Sequence, residues 1–98
     1  MQADATSPRY DQIVERLKEL NPEACLMLGF ETALVGLGSK FNDAPVAIYD
    51  YDKCIALLTK RDGMTEIEAE EYMDFNVTGA WVGEGTPIFA NLWTEATQ

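Results

Sequence analysis

Histidine is absent from this chain of 98 residues, and lysine and arginine together number only seven. Without histidine, the chain lacks the commonest general base and the only unperturbed side chain that changes charge near neutral pH. Cys25 and Cys54 alone cannot complete a tetrahedral set of ligands, so we expect no zinc site of the usual kind and no other cofactor. Both cysteines lie in apolar surroundings, which favours two small buried side chains over a disulfide.

Long apolar runs are also missing. None approaches the roughly 20 residues that span a bilayer, and the first residues have neither a basic leader nor an apolar signal core. We therefore expect a cytoplasmic protein without a membrane partner. The length predicts a single domain, residues 1–98, of which residues 1–7 form a frayed N-terminus.

Negative charge is abundant instead. Seventeen acidic residues against seven basic ones give a net charge of −10. From Asp62 to the last residue there are eight acids and no lysine or arginine. This balance disfavours direct binding to nucleic acid, which depends on clustered lysine and arginine. It suits a partner with a basic surface, or serves solubility alone.

Local patterns predict helices and strands in alternation. Ser7 and Pro8 have the form of an N-cap and first helical residue, and apolar residues at helical spacing predict a helix over Pro8–Leu20. The apolar run Ala24–Leu28 favours a short strand. The next segment, from Phe30 to about Gly38 or Ser39, favours a short helix.

The second half of the chain has clearer signals. Val46–Tyr49 predicts a strand, and Asp50 or Asp52 then caps a helix that Gly63 closes. Thr65 and Glu68 have the spacing of a capping box before the longest helix. Its inner face is predicted to carry Ala69, Met73, Asn76, Val77 and Ala80. Residues 88–90 predict a last strand. The sequence therefore predicts an α+β (or small α/β) domain with about three short strands and four helices, two of them an antiparallel pair.

Two carboxylates follow the strand at Asp50 and Asp52. Such carboxylates can bind Mg²⁺ for phosphoryl transfer, and a strand followed by Asp-x-Asp resembles the first motif of haloacid-dehalogenase-type phosphatases. Helix capping explains the same two acids without a metal. We therefore favour a protein that is not an enzyme and keep a small Mg²⁺-dependent enzyme as an alternative.

An amide on a predicted apolar helix face is the second candidate feature. A buried Asn76 must find hydrogen-bond partners, either in a neighbouring backbone or in a ligand. The ligand interpretation predicts a pocket for a ligand or partner, in which aromatic rings stack a planar group; its residues are Tyr51, Lys53, Tyr72, Asn76 and Trp81. Lys53, Lys60 and Arg61 could contact phosphates or pair with acids of the following helix.

The acids of the long helix form a third candidate, an acidic partner face. Its residues are Glu68, Glu71, Asp74 and, nearby, Glu84. They could imitate the charge spacing of a nucleic-acid backbone and occupy a basic groove, or they could be a solvated outer face. Leu92 and Trp93 leave a homo-oligomer open as well.

The block from Ala44 to Ala90 resembles a family of short, uncharacterised acidic proteins of bacteriophages and related mobile elements. The matching pieces cover about half of the chain: VAIYDYDKCIALL, RDGMT, EAEEYMDFNVTGAWVGEGTP and IF. The resemblance implies a phage protein that acts by binding and disabling host machinery. We therefore expect an inhibitor of a host defence system that binds a basic nucleic-acid-handling or effector protein. An oligomer that sequesters a small nucleotide signal is the alternative.

Overall fold

The computed structural model of the chain describes residues 8–77 and 83–93. Its elements follow the order α1 (Pro8–Leu20), a 3-10 turn (Glu31–Ala33), β1 (Leu34–Gly38), β2 (Val46–Asp50), α2 (Tyr51–Lys60), α3 (Glu66–Asn76) and β3 (Ile88–Ala90). The α+β class and the number of short strands are thereby confirmed, and two of the three strands, β2 and β3, lie where the sequence predicts them. The predicted frayed N-terminus, the Ser7 cap, Ala80 and Trp81 lie outside the described residues.

The three strands form one sheet with β2 in the centre. β1 pairs with β2 antiparallel, with Gly38 opposite Val46, and β3 pairs with β2 in parallel, with Phe89 opposite Tyr49. Since a parallel neighbour needs a long crossover, both α2 and α3 fall between β2 and β3. The chain therefore places the two helices of the second half directly after the central strand.

The core is built from buried side chains of α1, α2 and α3 together with those of β1, β2 and the 3-10 turn. α1 has the predicted bounds and contributes Leu17, which is almost fully buried. β2 turns Ala47 and Tyr49 towards the core, as the two-residue period of a strand requires. The remaining buried core positions are Phe30, Ala33, Leu34, Cys54, Ile55, Leu58, Ala69, Met73 and Val77. Within the described residues, no helix combines the length and apolarity needed to cross a membrane.

The predicted caps of α2 and α3 are confirmed. Asp50, one of the two candidates, caps α2, and its side chain accepts a hydrogen bond from the Lys53 N–H. Gly63 has the left-handed φ of +76° that favours glycine after a helix. Thr65 and Glu68 form both hydrogen bonds of the capping box. These local signals set the bounds of both helices.

The predicted strand Ala24–Leu28 is wrong. This segment is irregular, because its backbone N–H groups bond outside any ladder: Cys25 donates to the Gly85 carbonyl at 3.0 Å and Met27 to the Tyr49 hydroxyl at 2.8 Å. The segment packs across the core instead of joining the sheet. Leu28 at its end is 92% exposed, so the apolar run is not uniformly buried.

The predicted helix from Phe30 to about Gly38 is also wrong. Only the 3-10 turn is helical, and Leu34–Gly38 is strand β1, with a bulge between Leu34 and Gly36. Two glycines weaken a helix here, while pairing with β2 satisfies the backbone of an extended chain. Gly38 also fits closely, because a Cβ at this position would lie 2.8 Å from the Ile48 side chain.

The described residues therefore contain three α-helices rather than four, and no antiparallel helix pair. α2 and α3 do contact one another. However, α3 buries only a narrow stripe, Ala69, Met73 and Val77, while Ile67 and Phe75 remain exposed. Such a stripe does not provide the wide apolar face along which two helices pack.

Candidate functional site

The solvent face of α3 is acidic and, unexpectedly, also apolar. The helix carries five acids and no lysine or arginine; they are Glu66, Glu68, Glu70, Glu71 and Asp74, all exposed. Ile67 is 69% exposed and Phe75 is 82% exposed. Because residues four apart share a helix face, Ile67, Glu71 and Phe75 form one outward stripe. We call Ile67, Glu71, Asp74 and Phe75 the α3 face.

The four acids predicted as a partner face have different surroundings. Glu68 is engaged in the capping box, where its Oε1 accepts a hydrogen bond of 2.9 Å from the Thr65 N–H. Glu71 and Asp74 form no ion pair with any described residue. Glu84 is exposed in the turn before β3, where it lines a cleft of about 430 Å³ beside Glu23 and Thr86. Glu71 and Asp74 are therefore the predicted acids of α3 that have neither a capping role nor an ion pair among the described residues.

Tyr51 connects the start of α2 with the acids of α3. Its side chain is half-buried, and burial raises the pKa of its hydroxyl. The negative charges of Asp74 and Glu70 raise this pKa further, which places both acids within electrostatic range of the ring. A neutral phenol therefore lies beside the acidic side of α3.

The other residues of the predicted aromatic pocket lie in different places. Lys53 lies in a groove between α2 and the 3-10 turn, whereas Asn76 lines a cleft of about 350 Å³ with Cys25, Val77 and Phe89. Asn76 is exposed rather than on the buried face, because the core stripe of α3 passes through Met73 and Val77.

Tyr72 is 37% exposed and lies within electrostatic range of Arg61, whose pKa it helps to raise. Trp81 is outside the described residues, so a pocket that includes it remains a prediction.

The two candidate catalytic carboxylates have distinct positions. Asp50 Oδ1 accepts the Lys53 N–H at 3.3 Å as the cap of α2, and Asp52 is exposed in the first turn. No group of three or more Cys, Asp or Glu side chains that could hold a metal ion occurs among residues 8–77 and 83–93. Capping accounts for the hydrogen bond of Asp50.

Lys53, Lys60 and Arg61, which the sequence offered as possible phosphate contacts, line one basic groove that the sequence did not predict. This groove has a volume of about 330 Å³, lies between α2 and the 3-10 turn, and is lined by Thr32, Lys53, Ala56, Leu57, Lys60 and Arg61. Three of the seven basic residues of the chain therefore line one groove. The seven-residue spacing of Lys53 and Lys60, which puts both on one side of a helix, is the sequence signal that could have revealed it.

Arg61 is held firmly at one end of this basic groove. Its Nε and Nη2 donate to the Asp62 carboxylate at 3.0 and 3.2 Å, and its Nη1 donates to the Gly29 carbonyl at 2.5 Å. The guanidinium also lies 5.7 Å from the centre of the Phe30 ring, a cation–π distance. The hydrogen bond with Arg61 lowers the pKa of the Asp62 carboxyl and raises that of the guanidinium.

Comparison with known proteins gives no match to a family model, to a curated protein or to a solved structure.

Proposed function

We propose that the protein is a non-catalytic binding protein that occupies a basic surface of a partner protein with its α3 face. The observation that carries this proposal is found on one helix: Glu71 and Asp74 form no ion pair within residues 8–77 and 83–93, and Ile67 and Phe75 beside them are largely exposed. Large apolar side chains exposed within a charged surface are typical of protein interfaces.

The two kinds of side chain have complementary roles in binding. Acidic groups steer the α3 face towards a basic surface and set its orientation, and they repel other acidic proteins. Apolar anchors such as Phe75 then contribute affinity when they enter a pocket and lose water. The same acids oppose contact between the α3 faces of two copies, which favours a different protein as the partner.

The class of partner follows from the charge. If the partner protein has a positively charged cleft that normally holds a nucleic-acid backbone, this cleft would accept a helix with carboxylates and no cations. Such occupation would compete with nucleic acid and would disable the partner. With the resemblance to phage proteins, this supports inhibition of a host defence protein that handles nucleic acid.

The experiment is quantitative capture from a bacterial lysate by the immobilised full chain. The Glu71→Lys/Asp74→Lys variant reverses the charge of the α3 face, and Asp11→Lys/Glu15→Lys makes the same change of net charge on the exposed side of α1. A specific partner should bind wild type and the α1 variant, and it should be lost from the α3 variant. It should also be released by salt and displaced by added duplex DNA.

A third variant separates charge from apolar contact. Ile67→Ser/Phe75→Ser keeps every acid, and it should weaken capture of the same partner. Equal capture by wild type and both α3 variants would refute the proposal, and so would equal losses from the α1 and α3 charge variants.

A further inference from the structure

The basic groove stands out against the charge of the whole chain. The molecule carries ten more acids than bases, yet Lys53, Lys60 and Arg61 line a single groove. Among the described residues, neither Lys53 nor Lys60 forms an ion pair with a carboxylate. In the described part of the chain, both lysines of one helix side therefore lack an ion-pair partner.

The geometry of α2 lets both lysines reach the same point. Seven residues correspond to nearly two turns, so Lys53 and Lys60 point in similar directions about 10 Å apart along the helix. Ala56 and Leu57 lie between them, three or four residues from each, and form an apolar floor. An anion above this floor is therefore within reach of both ammonium groups.

The surroundings of the groove add a fixed wall and a polar rim. The contacts of Arg61 with Asp62 and the Gly29 carbonyl hold its guanidinium in place before any ligand arrives. Asp62 offsets much of the Arg61 charge, so Lys53 and Lys60 supply most of the attraction for an anion. Thr32, in the 3-10 turn, adds a hydroxyl side chain to the opposite side.

We propose that the basic groove formed by Thr32, Lys53, Ala56, Leu57, Lys60 and Arg61 binds a small phosphate-bearing ligand of about nucleotide size. The volume of about 330 Å³ falls at the lower end of small-molecule sites. Phosphate oxygens accept charge-assisted hydrogen bonds from lysine, and the apolar floor can accept the flat or aliphatic part of the ligand.

The net charge decides between a small anion and a large one. DNA, an acidic protein or an anionic membrane would extend beyond the groove and meet the surrounding carboxylates, which repel it. A small anion contacts only the lysines of the groove. Dissolved salt screens the repulsion between this anion and the more distant acids of the chain. This site is independent of the α3 face, so either can fail without the other.

The test uses calorimetric titration of the full chain with inorganic pyrophosphate, with a nucleoside diphosphate and with the corresponding nucleoside. Pyrophosphate and the diphosphate should bind and the nucleoside should not. Tighter binding of the diphosphate than of pyrophosphate would show that the apolar floor contributes. Lys53→Gln and Lys60→Gln should each weaken diphosphate binding about tenfold or more, because each removes a charge-assisted hydrogen bond.

The matched control is Lys18→Gln, which makes the same charge change at an exposed position of α1. It should leave the affinity within about twofold of wild type, because distant exposed charges are screened. Lys53→Arg/Lys60→Arg should retain binding. Arg61 is left intact because it holds Gly29 and Phe30.

Three results would overturn the proposal. The first is no binding of either phosphate probe to the wild-type chain. The second is an equal loss from Lys18→Gln and Lys53→Gln, which would show attraction without a site. The third is retention by anionic lipid vesicles without any binding of the two small probes. Thermal unfolding of each variant checks that the fold is intact. We expect unchanged unfolding temperatures, because both lysines are exposed.

Discussion

The hydroxyl of Tyr49, in the central strand, accepts a hydrogen bond of 2.8 Å from the backbone N–H of Met27. Tyr49 is only 1% exposed, and its ring stacks on Phe89 with 5.6 Å between the ring centres. One side chain therefore joins the irregular 24–28 segment to the sheet. The Tyr49 hydroxyl thereby accepts the Met27 N–H, which in a strand would have been paired with a neighbouring strand.

Tyr49→Phe should remove only this hydrogen bond, because the phenylalanine ring retains the stacking on Phe89. The Met27 N–H is then left without its acceptor, and we expect the free energy of unfolding to fall by about 1–3 kcal/mol. Urea denaturation measures the change. Tyr72→Phe is the control, since Tyr72 is partly exposed, and a loss as large as that of Tyr49→Phe would contradict the prediction.

The second prediction concerns Gly85, whose carbonyl accepts the Cys25 N–H. A Cβ at Gly85 would overlap the Glu23 carbonyl oxygen and lie 3.1 Å from the Ala24 Cα, which are backbone atoms that cannot rotate away. Gly85→Ala should therefore separate the turn from the 23–25 segment and lower the unfolding temperature by several degrees.

Gly36→Ala is the matched control for Gly85→Ala. No heavy atom lies within 4 Å of a Cβ built at Gly36 in β1. We expect equal or slightly higher stability, because alanine reduces the entropy of the unfolded chain. The prediction fails if the two substitutions have the same effect in a thermal unfolding scan.

The left-handed Gly63 after α2 was predicted correctly and the strand at Ala24–Leu28 was not, and the difference shows which features a sequence can predict. The Asp50 cap, Gly63 and the Thr65–Glu68 capping box are local, because every partner lies within a few residues. The predictions for residues 24–28 and for β1 were wrong because the structure of both segments depends on partners that are distant in sequence. These partners are Gly85 and Tyr49 for the 24–28 segment and strand β2 for β1. Periodicity in a short apolar run contains no information about those partners.

The candidate site likewise has features that the sequence predicts and features that depend on distant parts of the chain. Exposure of Glu71 and Asp74 could be predicted, since unpaired acids on a helix remain in water. The exposure of Phe75 also follows from the predicted inner stripe of Ala69, Met73 and Val77, although Phe75 was not among the residues predicted for the partner face. Thr32 could be assigned to the basic groove only once the position of its 3-10 turn beside α2 was known.

The third prediction distinguishes a cap from a metal ligand at Asp50. Asp50→Ala should lower the free energy of unfolding by about 1 kcal/mol, whereas Asp50→Asn should have little effect, because asparagine is an equally good cap. Asp52→Ala removes an exposed acid of the first turn that interacts favourably with the helix dipole and acts electrostatically on Tyr51, so it should cost less than loss of the Asp50 cap. Denaturation with and without Mg²⁺ measures all three. Equal losses from Asp50→Asn and Asp50→Ala, or a Mg²⁺-dependent stabilisation of wild type, would contradict the capping role.

The fourth prediction is a pH dependence at Cys54, whose thiol is fully buried. Burial raises the pKa of Cys54 to about 12 from its ordinary value of 9.0. The folded state therefore holds the thiol proton more tightly than the unfolded state does. This contribution to stability is complete below pH 9 and is lost as the pH rises towards about 12.

Cys54→Ala removes the contribution. At neutral pH the variant should be less stable because it has a small cavity, and the difference from wild type should shrink between about pH 8 and 10.5. Guanidinium denaturation under reducing conditions measures the difference. Burial is also the largest cause that raises the Tyr49 pKa to about 12, and because this burial is common to both proteins its effect on the difference cancels. Val46→Ala is the non-titrating control, and a gap for Cys54→Ala that stays constant over this range would exclude the effect.

The last prediction separates the folding role of α3 from its proposed binding role. Met73 is fully buried on the inner stripe, and Met73→Ala should lower the free energy of unfolding by about 2–5 kcal/mol through cavity formation. Phe75 is 82% exposed, so Phe75→Ser should change it by no more than about 0.5 kcal/mol. Urea denaturation compares the two. If Phe75→Ser destabilised the fold as strongly as Met73→Ala, the aromatic ring would belong to the core, and a loss of partner binding in the α3 variants could no longer be assigned to the surface.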